Sequence, residues 1–348
     1  MAAFRPESNV MKIWFPYIRT YSGGDLALQR LASGLRQAGY DVHEQALPQF
    51  WQYSPWPLSR LSAPPGTDLV ISSDWWAFAF KRPSLPLLAV AHGFLCDPAP
   101  DQQRGAARKL FHEMIIRRCY LHTAKVADQM ITVSDYTAEV MGRELGRKDI
   151  VVIHNGVDTT FFSPDESRPL VTDKLLKVLF VGNLIRRKGA ADLPAIMQRL
   201  GPDYQLRYTR GWRANVELPQ EDGMVDLGLL DAEGARREYR RADVLLFPSR
   251  LEASGLPVLE AMACGVPVVA SNSSSLPEHV LDGETGLLCS PGDVDAFADA
   301  VRTIASRPAM KEAMGERARL HAVERFDERR SLARYLEVIE SMRTALER

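Results

Sequence analysis

Asp243-Val244-Leu245-Leu246-Phe247-Pro248-Ser249-Arg250-Leu251-Glu252-Ala253-Ser254-Gly255-Leu256-Pro257-Val258-Leu259-Glu260 is the stretch on which the fold turns. Its opening is an apolar run of the kind that forms a strand buried on both faces of a parallel sheet. The carboxyl end of that strand delivers Glu252 into a loop. Pro257 is accepted in a first helical turn, and Val258, Leu259, Ala261, Met262 and Ala263 continue as a buried helix that Gly265 ends. The amides of Ser254, Gly255 and Leu256 then stand at a helix N-terminus. Unpaired N–H groups and the helix dipole attract a phosphate there, and glycine lets a ligand come close to the backbone. Glu252 and Glu260 flank whatever binds. Taken alone the glutamate pair is a weak motif, because a glutamate in a first turn also answers the helix dipole.

Outward from this unit, apolar runs alternate with amphipathic segments. Residues 10–17, 68–72, 85–91, 130–133 and 150–153 read as strands in the first half, and 177–181, 205–208, 244–247 and 266–270 in the second. Leu28, Leu31, Ala32 and Leu35 share one helix face, and 231–242 is helical. Repeated strand and helix units predict an α/β chain with parallel sheets covered on both faces. Residues 158–174 carry little periodicity and read as an interdomain linker. The expected division is an N-terminal domain of residues 1–160, a C-terminal domain of 172–328, and a C-terminal helix of 329–348 crossing back to the first domain through Leu332, Tyr335, Leu336, Ile339, Met342 and Leu346. The stretch 49–66, with Trp51, Trp56 and four prolines, reads as a long loop facing an acceptor or packing its aromatics.

The 348 residues suffice for about two domains. A formal net charge of -1, from 43 basic and 44 acidic side chains, gives no global pull toward nucleic acid. No apolar h-region opens the chain and no stretch reaches the length of a membrane span, so a cytoplasmic location is expected. Cys96, Cys119, Cys264 and Cys289 form no CxxC pair and are expected to be free, buried thiols.

Further segments fall into order around the glutamates. Gly23-Gly24 follows the first apolar run, and His92-Gly93 closes the 85–91 run. His154-Asn155-Gly156 precedes the linker, and Phe180-Val181-Gly182-Asn183-Leu184-Ile185-Arg186-Arg187-Lys188-Gly189 opens the second half. Leu276-Pro277-Glu278 and Gly283-Glu284-Thr285-Gly286 come after Glu260. In this order and spacing the chain resembles family 4 glycosyltransferases, over nearly its whole length. The resemblance implies the GT-B fold: two Rossmann-like domains facing across a cleft, an acceptor held by the first and a nucleotide-diphosphate sugar, UDP- or GDP-linked, by the second. It also implies transfer with retention of configuration, with no metal and no separate cofactor. Glu252 would lie by the donor sugar and phosphate, Glu260 on the ribose hydroxyls, Lys188 on the diphosphate and His92 on the sugar. Gly23, Gly24, Gly182, Ser254, Gly255, Leu256 and Pro257 would line the donor site. Where the family commonly carries arginine, this chain has Asn183, which leaves Arg186 or Arg187 to supply the charge.

No GxGxxG and no GxxxxGK[ST] occurs, which removes the phosphate loops of dinucleotide dehydrogenases and P-loop NTPases. Asp293-Val294-Asp295 spells a metal-binding DxD, but it precedes Val294, Phe297, Ala298 and Val301 and reads as a helix cap. Arg104, Arg108, Lys109, Arg117 and Arg118 alternate with Leu110, Phe111, Met114, Ile115 and Ile116. That segment reads as a solvated helix packing on the first sheet, with peripheral contact to an anionic membrane as the alternative. Two rivals share the architecture: a GT-B nucleotide-sugar 2-epimerase and a non-catalytic nucleotide-sugar-binding module. The acceptor, a glycan, a lipid-linked sugar or a small molecule, leaves no mark in the sequence.

Overall fold

The computed structural model describes residues 10–20, 23–98, 110–165, 175–211 and 214–346. The first sheet runs through β1 (Lys12–Ile18), β2 (Asp41–Leu47), β3 (Leu69–Ser73), β4 (Leu87–Ala91), β5 (Gln129–Thr132) and β6 (Ile150–Val152), in the order β2-β1-β3-β4-β5-β6. Helices α1 (Gly23–Gln37), α2 (Arg117–Val126) and α3 (Asp135–Leu145) cover it. The second sheet holds β7 (Leu176–Phe180), β8 (Tyr204–Tyr208), β9 (Met224–Asp226), β10 (Val244–Phe247), β11 (Val268–Ser271) and β12 (Gly286–Cys289), in the order β12-β11-β10-β7-β8-β9. Around it lie α4 (Leu193–Leu200), α5 (Ala232–Arg241), α6 (Leu256–Ala263), α7 (Leu276–His279), α8 (Val294–Ala305) and α9 (Pro308–Phe326). All the strand pairs are parallel.

The central strands are the ones the apolar runs mark. β3, β4, β10 and β11 are buried along their whole length, because helices cover both faces. β2, β9 and β12 were not expected as strands, and all three lie at sheet edges. An edge strand has less to bury: β2 is fully buried only at Val42, and no residue of β9 is. In place of an unstructured loop at 49–66 there are two short 3-10 turns, Gln49–Tyr53 and Trp56–Arg60. Trp56 meets Phe78 at a tilt, ring centres 6.1 Å apart, and Phe50, Tyr53 and Trp56 are all exposed.

α10 (Glu328–Leu346) crosses back to the first sheet, where Tyr335 and Ile339 enter the core with Ile13, Phe15, Leu28 and Leu35, and Leu332, Leu336 and Met342 pack beside them. Tyr40 Oη donates to Glu340 across this contact at 2.8 Å. The side chain of Leu346 lies outside the described residues. The crossing is tight at Gly156, where a Cβ would stand 2.3 Å from Glu328 Cα. Of the expected linker, residues 166–174 are outside the described residues. Phe162 belongs to the core of the second sheet with Val157 and Tyr239. The four cysteines are free and buried. Asp293 caps α8, its carboxylate accepting from the Ala296 amide at 3.0 Å, and Asp295 faces Arg199.

Candidate active site

Each sheet reverses strand order once, and in such sheets ligands bind beyond the strand ends at the reversal. In the second sheet it falls between β10 and β7. The loop after β7 carries Gly182 through Lys188, and the loop after β10 carries Glu252, so neighbouring strand ends bring the two together. Lys188 Nζ lies 2.5 Å from Glu252 Oε1 and 5.2 Å from the centre of the Phe247 ring. Ser249 Oγ donates to the same carboxylate at 2.5 Å. Arg187 Nη1 stands 3.9 Å from it and donates to the Leu251 carbonyl. Burial works to raise the Glu252 pKa, but Lys188, Arg187 and Ser249 outweigh it and hold the carboxyl below its usual range. For Lys188, burial lowers the pKa and Glu252 opposes it.

The turn into Lys188 depends on Gly189. Its φ is +71°, and a Cβ there would lie 2.1 Å from the Pro248 carbonyl oxygen. The loops after β7 and β10 are thus pressed together, backbone to backbone. Asn183 packs on Gly211, whose φ of +66° and missing Cβ leave room for the amide. Arg186 is exposed and its own amide donates to Asn215 at 3.2 Å, so of the two arginines Arg187 is the one beside Glu252. Trp212 lies outside the described residues.

Helix α6 starts from Gly255 at φ +64° with no side chain capping it and Pro257 in its first turn. Pro257 has no N–H and the Val258 amide donates to the Gly255 carbonyl at 2.8 Å, so the Leu256 amide and the loop amide of Gly255 before it are what this helix start offers a ligand. One turn further along, Glu260 is buried, with Oε2 accepting from Tyr239 Oη at 3.0 Å. Burial pushes its pKa up, and Arg30 and Tyr239 oppose the rise. Arg30 comes from α1, on the other lobe, with Nη2 3.6 Å from Glu260 Oε1.

The first lobe meets this surface closely. A Cβ on Gly93 would touch Ala253 at 3.4 Å, and one on Gly23 would touch Leu256 at 3.6 Å. Gly23 and Gly24 open α1 after β1. His92, after β4, has both ring nitrogens buried without a partner, and burial lowers its pKa to about 4, leaving the imidazole neutral. His92, Leu256, Arg30 and Asn155 share the wall of a cavity of about 190 Å³. Lys188 and Glu252 meet each other but are not in the wall of that cavity. Asn155 Nδ2 donates to Ser254 Oγ at 3.0 Å, which ties the crossover to the α6 loop.

Two family models match: "Glycosyltransferase Family 4" over residues 44–161 and "Glycosyl transferases group 1" over 227–321. A GDP-mannose-dependent alpha-(1-6)-phosphatidylinositol monomannoside mannosyltransferase of Mycolicibacterium smegmatis is 32% identical over 71% of this chain and 74% of its own. The chain belongs to the family 4 glycosyltransferases. A glycogen synthase of Mycobacterium tuberculosis is 33% identical over 58% of this chain, which spans about half, 51%, of that relative's length. Among solved structures, sucrose-phosphate synthase from Thermosynechococcus elongatus superposes with a TM-score of 0.79 at 20% identity, covering 96% of this chain and 100% of that one. HepE from Anabaena in complex with UDP-glucose superposes with a TM-score of 0.75 at 18% identity, covering 95% of this chain and all of that one. The two-lobed architecture is the GT-B fold of this family.

Three residues that touch the two glutamates escaped sequence reading. Arg30 and Tyr239 reach Glu260 from other elements, where no local spacing announces them, and Ser249 lies three residues before Glu252 in the same loop. Glu278 closes the Leu276-Pro277-Glu278 segment. It accepts from the amides of Asp135 and Tyr136 at 2.9 and 2.8 Å, and its Oε2 lies 2.8 Å from His154 Nε2. Asp135, His154 and Glu278 lie close enough to hold a cation. The groups turned toward the Glu278 carboxylate are N–H donors, however, so the cluster reads as a clasp between α3 and the second lobe.

Proposed function

We propose that this chain transfers a sugar from a nucleotide-diphosphate sugar to a hydroxyl acceptor with retention of configuration. The observation that carries the reading is the Lys188–Glu252 pair beside the uncapped start of α6. Breaking the bond between sugar and phosphate builds negative charge on the leaving diphosphate and positive charge at the anomeric carbon. An ammonium has three protons to donate and Glu252 engages one side of it, so Lys188 can also meet a phosphate oxygen. Together with the Gly255 and Leu256 amides and Arg187, it supplies the charge stabilisation that a metal gives in other transferases. Arg187 then stands in for the arginine missing at Asn183. Glu252 orients the sugar, Glu260 takes the ribose hydroxyls, and neutral His92 donates to or accepts from the sugar from the opposite lobe. Closure of the lobes excludes water and limits hydrolysis. Retention and the donor class rest on the family resemblance.

The test is to incubate the protein with UDP- and GDP-sugars, with and without a panel of hydroxyl acceptors, and to measure nucleotide release and product anomers. Acceptor-dependent release with a retained anomer supports the proposal. An epimerised donor without acceptor, or binding without release, sinks it.

A peripheral contact with an anionic membrane is also part of this reading. Leu110 and Met114 are 60% and 47% exposed before α2, whose first turn carries exposed Arg118 and whose last turn carries exposed Lys125. Tyr53 sits 6.2 Å from Phe111, which continues the apolar patch into the 3-10 turns and exposed Arg60. Arg104, Arg108 and Lys109 lie outside the described residues. Among the described residues no helix is long and apolar enough to cross a membrane. Co-sedimentation with anionic but not neutral vesicles, lost in a Leu110→Ser, Met114→Ser variant, is the expected result, and equal recovery with both vesicle types would refute it.

A further inference from the structure

Glu260 is a buried carboxylate on a second-lobe helix, yet the cation acting on it, Arg30, belongs to a first-lobe helix. The spacing is informative. At 3.6 Å the guanidinium balances the charge of Oε1 from beyond ordinary hydrogen-bond length, which leaves that oxygen lone-pair capacity for a ligand hydroxyl. Oε2 is engaged by Tyr239. Arg30 Nη1 is buried and has no partner, and Arg30 lies in the wall of the inter-lobe cavity with His92 and Leu256.

We propose that Arg30 is a positioning residue of the donor site: when the lobes close it holds the Glu260 carboxylate ionised and aimed at the ribose, so that the first lobe completes the ribose pocket of the second. This rests on the reading that Glu260 receives ribose hydroxyls. The groups facing Glu260 are Tyr239 from α5, Cys264 from the end of its own helix and Arg30 from α1, and Glu328 of α10 faces Arg30 from behind. Without Arg30, burial acts on Glu260 with less opposition and its pKa climbs. Donor recognition needs the carboxylate, so the acid limb of kcat/KM for the donor moves to higher pH.

The experiment compares Arg30→Gln, Arg30→Lys, Glu260→Ala and the Arg30→Gln, Glu260→Ala double variant across pH, at saturating acceptor. Arg30→Gln is expected to raise donor KM by about tenfold with kcat changed less than about twofold, and to shift the acid limb upward. Arg30→Lys restores the limb, and the double variant loses no more donor affinity than Glu260→Ala alone. Glu260→Ala weakening the donor while Arg30→Gln leaves KM and the acid limb untouched overturns the role of Arg30 alone. An unchanged donor KM in Glu260→Ala overturns the ribose reading and this inference with it. If Arg30→Gln does not fold, the limb of Arg30→Lys still decides: a shape identical to that of a neutral Arg30→Met variant refutes the charge argument.

Discussion

An ammonium taken out of water keeps its proton only if something nearby answers its charge, and for Lys188 that group is Glu252 at 2.5 Å. Their mutual dependence decides what substitution does. Lys188→Ala is expected to lower kcat by about 10² to 10³, the range for losing one stabiliser of transition-state charge, and an unaltered kcat with only weaker donor binding would remove Lys188 from that role. Glu260→Ala is expected to act on donor KM with kcat largely kept, because contacts to ribose are similar in ground and transition states. Steady-state kinetics of the two variants side by side make the distinction.

Two buried histidines contribute to the pH dependence of stability, beside carboxyls held low such as Glu278 and Asp327. Burial lowers both His92 and His279 to about 4, and His279 also feels His154. A histidine with a depressed native pKa takes up its proton more readily unfolded, so its contribution is full above the ordinary value of about 6.5 and is lost as pH falls through about 4. The free energy of unfolding should therefore fall between about pH 6.5 and pH 4 by up to about 1.4 kcal/mol per pH unit for each group. Urea titrations of the protein and a His279→Asn variant check this. An equal slope in the two would rule out His279 as a source.

At the scale of elements, the clasp from Glu278 to α3 joins parts of the chain that no sequence window relates. The Asp135 and Tyr136 amides are among the four that a helix start leaves unpaired, and the carboxylate that takes them comes from α7, across the lobe boundary. Glu278→Ala should speed hydrogen exchange at those two amides and destabilise the protein by about 1 to 3 kcal/mol. Unchanged exchange there would mean that the clasp does not hold in solution. The strands show the same division between local and non-local information. β3, β4 and β10 were legible because a strand buried on both faces needs an unbroken apolar run. β2, β9 and β12 were not, because an edge strand can be chosen by its neighbour's free hydrogen-bonding edge, although β6, also at an edge, carries a readable apolar run.

At the scale of the whole molecule, the amphipathic pattern from Leu332 to Met342 made a returning helix readable, while its close seat at Gly156 is a matter of two backbones meeting. The sequence by itself determined the alternating α/β order, the central strands, the loop and helix around Glu252 and Glu260, the cap at Asp293 and the family resemblance. These are local matters of apolar period, capping chemistry and spacing. Only the tertiary structure decided that Arg187 rather than Arg186 stands by Glu252, that Tyr239 donates to Glu260, and that Arg30 reaches Glu260 from the opposite lobe. Those pairings follow from how strand ends converge and lobes close, and electrostatic interactions depend on distance through space, which residue order does not encode.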